Sequence, residues 1–219
     1  MTPSAAIGDQ LAAARIVPVV TRIAARDAWA LAAALVHGGL SVIEVTLRAA
    51  GAIEAITVIA ADPPEGMLVG AGTVLTAEQV DAAVDAGARF IVSPGLSAAV
   101  VVRCAERGVS CIPGVVTPTE VMAALDLGLH LLKFFPAEAA GGVSTLRALA
   151  APFPQARWVP TGGITTANLA DYLSVPAVTA VGGSWMVKPE LIEAGRFDEV
   201  ERLAREAAIA AQTAGKGAR

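Results

Sequence analysis

Lys133 interrupts the apolar run Leu131-Leu132-Lys133-Phe134-Phe135-Pro136, where a solvated amine is not expected and where burial disfavours the ammonium form. Of the 16 basic residues only Lys133, Lys188 and Lys216 are lysines, and Lys216 belongs to a glycine-containing terminal tail. With the two-residue repeat of a strand, Leu131, Lys133 and Phe135 share one face and Leu132 and Phe134 the other, so the amine can point into the interior of a closed sheet. Two uses are open to it. It can salt-bridge a neighbouring strand or snorkel to a rim. Alternatively, desolvated and beside another cation, it can act as a nucleophile towards a ketone.

The stretch Ile43-Glu44-Val45-Thr46-Leu47-Arg48 alternates Glu44, Thr46 and Arg48 on one face against Val45 and Leu47 on the other. A carboxylate and a guanidinium facing inwards require pairing or function. One reading is a structural pair, Glu44 with Arg48 or with another strand. The other is a general acid/base beside Lys133, with Arg48 clamping a substrate carboxylate through two hydrogen bonds. Thr73, in Gly70-Ala71-Gly72-Thr73, can add a hydroxyl to that carboxylate or be a turn residue ahead of a helix capped by Thr76. These glycines lack the third member of a dinucleotide fingerprint, so they are weak support for a nicotinamide cofactor. Further on, Thr161-Gly162-Gly163-Ile164 and Gly182-Gly183-Ser184-Trp185 offer paired glycines whose amides can approach a phosphate closely, or which simply make tight turns.

Positioning these groups requires a sheet. Eight short β-branched runs recur, at 15–20, 40–47, 67–70, 89–93, 109–112, 131–135, 157–160 and 177–181, with alanine-rich helical stretches at 27–36, 77–86, 98–107, 119–127, 168–173 and 197–212. Repeated βα units predict a parallel α/β sheet, and eight of them favour a single-domain (β/α)8 TIM barrel, although an open doubly wound sheet fits the same count. In a barrel the paired glycines fall after the seventh and eighth strands, where many barrels cradle a phosphate. No linker, repeat or low-complexity segment marks a second domain among the 219 residues.

Composition narrows the function classes. The chain is 55% hydrophobic, but its longest uncharged runs, 28–43 and 172–187, fall short of the ~20 apolar residues a spanning helix needs. Residues 1–10 carry no signal-peptide pattern, which predicts a cytoplasmic protein with no membrane association. Net charge is −4, with no basic run, so nucleic acid is excluded as a partner and a small-molecule substrate is expected. Cys104 and Cys111 lack zinc-site spacing and are read as buried free thiols. His37 and His130, at a helix end and in a loop, give no metal site, and no Gly-x-Ser-x-Gly elbow suggests a hydrolase.

Taken together, the motifs Glu-Val-Thr-Leu-Arg at 44–48, Gly-Ala-Gly-Thr-Val-Leu at 70–75, Ser-Pro-Gly-Leu at 93–96, Lys-Phe-Phe-Pro-Ala-Glu at 133–138, Pro-Thr-Gly-Gly-Ile at 160–164 and Gly-Gly-Ser-Trp at 182–185 closely resemble the 2-keto-3-deoxy-6-phosphogluconate and 4-hydroxy-2-oxoglutarate aldolase family. The resemblance runs over almost the whole chain. It implies a class I Schiff-base lyase that releases pyruvate from a phosphorylated keto-deoxy sugar acid, with Lys133 forming the imine and Glu44 moving protons. Arg48 and Thr73 would hold the pyruvate carboxylate, Pro94 and Thr161 would line the pocket, and Gly162, Gly163, Gly183 and Ser184 would surround the phosphate. It also implies that no metal or other cofactor is used, and a homotrimer. The rival expectations are a phosphosugar isomerase or epimerase using Glu44 as base, an aldolase with another acceptor aldehyde, and a non-catalytic phosphosugar-binding protein.

Overall fold

The computed structural model describes residues 3–214; Lys216 of the terminal tail lies outside them. The elements, in order, are α1 (Pro3–Ala14), β1 (Ile16–Val20), α2 (Ala25–His37), β2 (Val42–Thr46), α3 (Ala52–Ala61), β3 (Leu68–Gly72), α4 (Ala77–Asp85), β4 (Phe90–Val92), α5 (Ala98–Glu106), β5 (Ser110–Ile112), β6 (Gly114–Val115), α6 (Pro118–Asp126), β7 (Leu131–Phe134), α7 (Gly142–Ala150), β8 (Arg157–Pro160), α8 (Leu169–Leu173), β9 (Val181–Gly183), α9 (Pro189–Glu193) and α10 (Phe197–Ala214).

All strand pairs are parallel. Six strands run in the order β5-β4-β3-β2-β1-β9 and three in the order β6-β7-β8. Isolated bridges, Trp158 to Val178 and Thr161 to Gly182, connect the β8 and β9 regions. Only Pro113 separates β5 from β6, and its carbonyl accepts from the Lys133 amide at 2.8 Å. The result is a curled parallel α/β sheet.

Both faces of that sheet are apolar, as a parallel sheet covered by helices requires. Ile43 and Val45 of β2, and Leu132 and Phe134 of β7, join the outer core packed against the helices. Val17, Val42, Leu68, Phe90, Val92, Ile112, Leu131 and Val159 form a second, inner cluster, joined by Ile7 and Leu11 of α1. Many of the inner residues open their strands, so α1 covers the amino ends of the strands and leaves the carboxyl ends for the loops that carry chemistry.

Local capping sets several helix starts. Thr76 accepts from the Gln79 amide and caps α4, as the sequence predicts, and Thr117 with Glu120 forms a reciprocal capping box on α6. Four helices were not anticipated: α1, α3, α7 and α9. In α3 the β-branched Ile53, Ile56, Thr57, Val58 and Ile59 suit a strand by propensity, but Ala52, Ala55, Ile56 and Ile59 are buried at helical spacing.

The expected run at 177–181 is displaced: β9 is Val181–Gly183, where Val181, Gly182 and Gly183 pair with Ile16, Val17 and Pro18. β3 likewise continues through Gly72 instead of stopping at Gly70. In both cases glycines that read as loop are strand residues with a side chain packed directly against them. Cys104 and Cys111 are free and buried. Among the described residues no helix is long and apolar enough to cross a membrane.

Candidate active site

Strand alternation carries Glu44 and Lys133 to the inner side, because their neighbours Ile43, Val45, Leu132 and Phe134 pack outwards. The Lys133 ammonium donates to Glu44 Oε1 at 3.4 Å, with the two residues 6% and 3% exposed. Opposite charges so far from water are costly unless paired, and pairing across the sheet meets that cost. Lys133 Nζ also lies 5.1 Å from the centre of the Phe135 ring, which adds a cation–π contact.

Two glycines make room for these groups. A Cβ on Gly72 would stand 2.1 Å from Glu44 Oε1, and one on Gly182 would stand 2.3 Å from Thr161 Oγ1. Glu44 and Thr161 therefore occupy the space that side chains on β3 and β9 would fill. Neither glycine was singled out for this role from the sequence, and Phe135 was placed only on the lysine's face.

Glu44, Lys133 and Thr161 line one enclosed hollow together with Leu11, Val17 and Phe90; it holds about 10 Å³, enough for a single water at most. On the side away from α1 lie the carboxyl ends of the strands. The remaining expected residues follow those ends. Thr73 lies just beyond β3, half-buried, with φ of 55°, a backbone region that a β-branched residue rarely adopts and that recurs at functional sites. Pro94 follows β4, Thr161 comes directly after β8 and is buried, Gly183 ends β9, and Ser184 is exposed directly after it. Gly162 and Gly163 hold φ of 105° and 79°, so their turn does need glycine.

Arg48 departs from the alternation expected for it. β2 ends at Thr46, and Arg48 sits exposed in the following turn, so the strand does not place it on the inner face with Glu44. Of the structural pairings open to Glu44, the one found is with another strand, through Lys133. Among the described residues no group of three or more His, Cys, Asp or Glu side chains is arranged to hold a metal ion.

Fold and site define a parallel α/β protein with a buried amine–carboxylate pair beneath glycine-bearing loops at the strands' carboxyl ends. Residues 7–203 match the family model "Aldolase: KDPG and KHG aldolase", where KDPG is 2-keto-3-deoxy-6-phosphogluconate and KHG is 4-hydroxy-2-oxoglutarate. The chain is 47% identical over 192 residues to the KHG/KDPG aldolase of Escherichia coli K12, an alignment covering 88% of this chain and 90% of that one. Two crystal structures superpose closely. A 2-keto-3-deoxy-6-phosphogluconate aldolase of Zymomonas mobilis ZM4 with 3-phosphoglycerate gives a TM-score of 0.86 at 42% identity, covering 94% of this chain and 96% of that one. A KDPG aldolase from Legionella pneumophila, with pyruvate captured at low pH as a covalent carbinolamine intermediate, gives 0.88 at 40% identity, covering 94% and 98%. The chain belongs to the KDPG and KHG aldolase family.

Proposed function

We propose that this protein is a class I aldolase that cleaves 2-keto-3-deoxy-6-phosphogluconate to pyruvate and glyceraldehyde 3-phosphate, and also accepts 4-hydroxy-2-oxoglutarate, releasing pyruvate and glyoxylate. The observation that carries this reading is the buried contact between Lys133 and Glu44. Family membership supports it.

Lys133 passes a proton to Glu44 and the resulting free amine adds to the C2 ketone; Glu44 then gives that proton to the departing hydroxyl, so water leaves and a cationic imine remains. The C4 hydroxyl gives its proton to the Glu44 carboxylate, which later returns it to C3, the C3–C4 bond breaks, and its electron pair flows into the imine to form an enamine. The aldehyde product departs, the enamine is protonated at C3, and hydrolysis returns pyruvate and the free amine. Thr73 and Arg48 would hold the substrate carboxylate, Arg48 reaching in from the turn. Pro94 and Thr161 would line the pocket, and the amides around Gly162, Gly163, Gly183 and Ser184 would take the phosphate. The proposal extends to closure of the sheet as a single-domain (β/α)8 barrel with β5 and β6 as one interrupted strand, supported by the Pro113 link and the Thr161–Gly182 bridge. A homotrimer and a cytoplasmic location belong to the same proposal; sedimentation velocity tests the first.

Pyruvate with borohydride should leave a reduced adduct on Lys133, read by mass spectrometry. Lactate dehydrogenase coupling should report pyruvate release from the phosphorylated substrate and, in parallel, from 4-hydroxy-2-oxoglutarate. A protein that isomerises the phosphosugar without any adduct would be the Glu44-based epimerase instead, and one that binds without turnover would be no enzyme.

Gly72→Ala tests the packing beneath Glu44. The new methyl has to push the carboxylate aside, and a displacement near 1 Å is expected to lower kcat by about 10²-fold, with overpacking costing about 1–3 kcal/mol of stability. Steady-state assay and thermal melting read the two effects separately. An unchanged kcat would mean that the position of Glu44 does not matter.

A further inference from the structure

Tyr172 is the sole tyrosine of the chain, 0% exposed on α8, yet its hydroxyl is not idle: it donates to Glu138 Oε1 at 2.5 Å. Burial, reinforced by that carboxylate, pushes the phenol well above its ordinary range, so it remains a donor at neutral pH. Glu138 itself is exposed, five residues beyond Lys133 in the turn that follows β7.

This turn is attached to the loop after β8. The Ala137 amide donates to the Thr161 carbonyl at 2.9 Å, and the Glu138 amide to the Gly162 carbonyl at 3.0 Å. Gly163 packs so closely on the Glu138 stem that a Cβ there would lie 2.7 Å from Glu138 Cβ and Cγ. From the far side, Asn168 Nδ2 donates to the Gly163 carbonyl at 3.2 Å, while Asn168 Oδ1 accepts from the Thr165 amide at 2.8 Å. The loop is thus held between Glu138 and Asn168, and Glu138 is fixed to the core through one phenol.

A substrate joined covalently to Lys133 and carrying a terminal phosphate spans a distance set by its own bonds. The loop that receives the phosphate must therefore keep a constant offset from Lys133. We propose that Tyr172 and Glu138 are positioning residues that hold the 161–163 loop at that offset, and that they set affinity for phosphorylated substrates without touching them. The inference rests on the Schiff-base reading above.

Tyr172→Phe removes only the hydroxyl, and Glu138→Ala removes its acceptor. Each is expected to raise KM for the phosphorylated substrate roughly three- to tenfold, the range of one lost hydrogen bond. Deuterium exchange into the pyruvate methyl group, which needs the enamine and no phosphate, should stay within about twofold of the parent. Glu138→Gln, which keeps an acceptor oxygen for Tyr172, should restore the parent KM. An unchanged KM in both variants, or exchange falling in step with KM, would overturn the proposal. Should Tyr172→Phe fail to fold, the exposed Glu138 pair of variants decides by the same readouts. A parent enzyme without any exchange would remove the Schiff-base reading, and this inference with it.

Discussion

Lys133→Ala is expected to lower kcat by about 10⁴-fold or more and to abolish the borohydride adduct with pyruvate. The size of the loss follows from the chemistry: without the amine there is no cationic imine, and nothing else in the buried pair can accept the electrons of the C3–C4 bond. Stability falls too. Glu44, 3% exposed, loses the cation that faces it, and breaking a buried pair from one side costs about 3–5 kcal/mol. Lys133→Met separates the two effects because it keeps most of the stem volume inside the sheet. A folded methionine variant retaining more than about one hundredth of the parent kcat would eliminate the covalent step.

The buried pair was legible in the sequence because it violates a pattern. Lys133 breaks an apolar run and Glu44 breaks a β-branched one, and in each case the flanking residues reveal which face the charge takes. Such reasoning fails where the strand stops. The alternation that placed Arg48 beside Glu44 assumed a strand running beyond Thr46, but the chain turns there and Arg48 emerges exposed. Glycine misled in the opposite direction. At Gly72 and Gly182 the low strand propensity of glycine suggested loops, whereas the structure uses strand glycines to admit the Glu44 carboxylate and the Thr161 hydroxyl. Close approach from a neighbouring strand has no signature in a single sequence. Tyr172 and Glu138, 34 residues apart, were invisible for the same reason; the only available signal was that the chain has one tyrosine and hides it.

Glu44→Gln distinguishes the two roles that a buried carboxylate can play against Lys133. Glutamine preserves the shape of the side chain and an oxygen able to accept from the lysine, so Gly72 and the hollow around it need not rearrange. Its amide neither gives up nor takes up a proton near neutral pH. If Glu44 relays protons, kcat should fall by about 10²- to 10⁴-fold, and exchange of the pyruvate methyl protons should fall with it. Borohydride should still trap some imine at Lys133 on long incubation, because the nucleophile is intact. If Glu44 only balances charge, the damage is confined to stability: a buried cation left without its anion in a 6%-exposed position lowers the melting temperature, as it does for either role, while kcat per trapped site is unchanged. Counting sites by the borohydride adduct removes misfolded protein from the comparison. The pair of side chains at 3.4 Å loses its charge balance in either case, so the melting temperature falls for both roles and kcat per trapped site decides: slow if the carboxylate moves protons, unchanged if it does not.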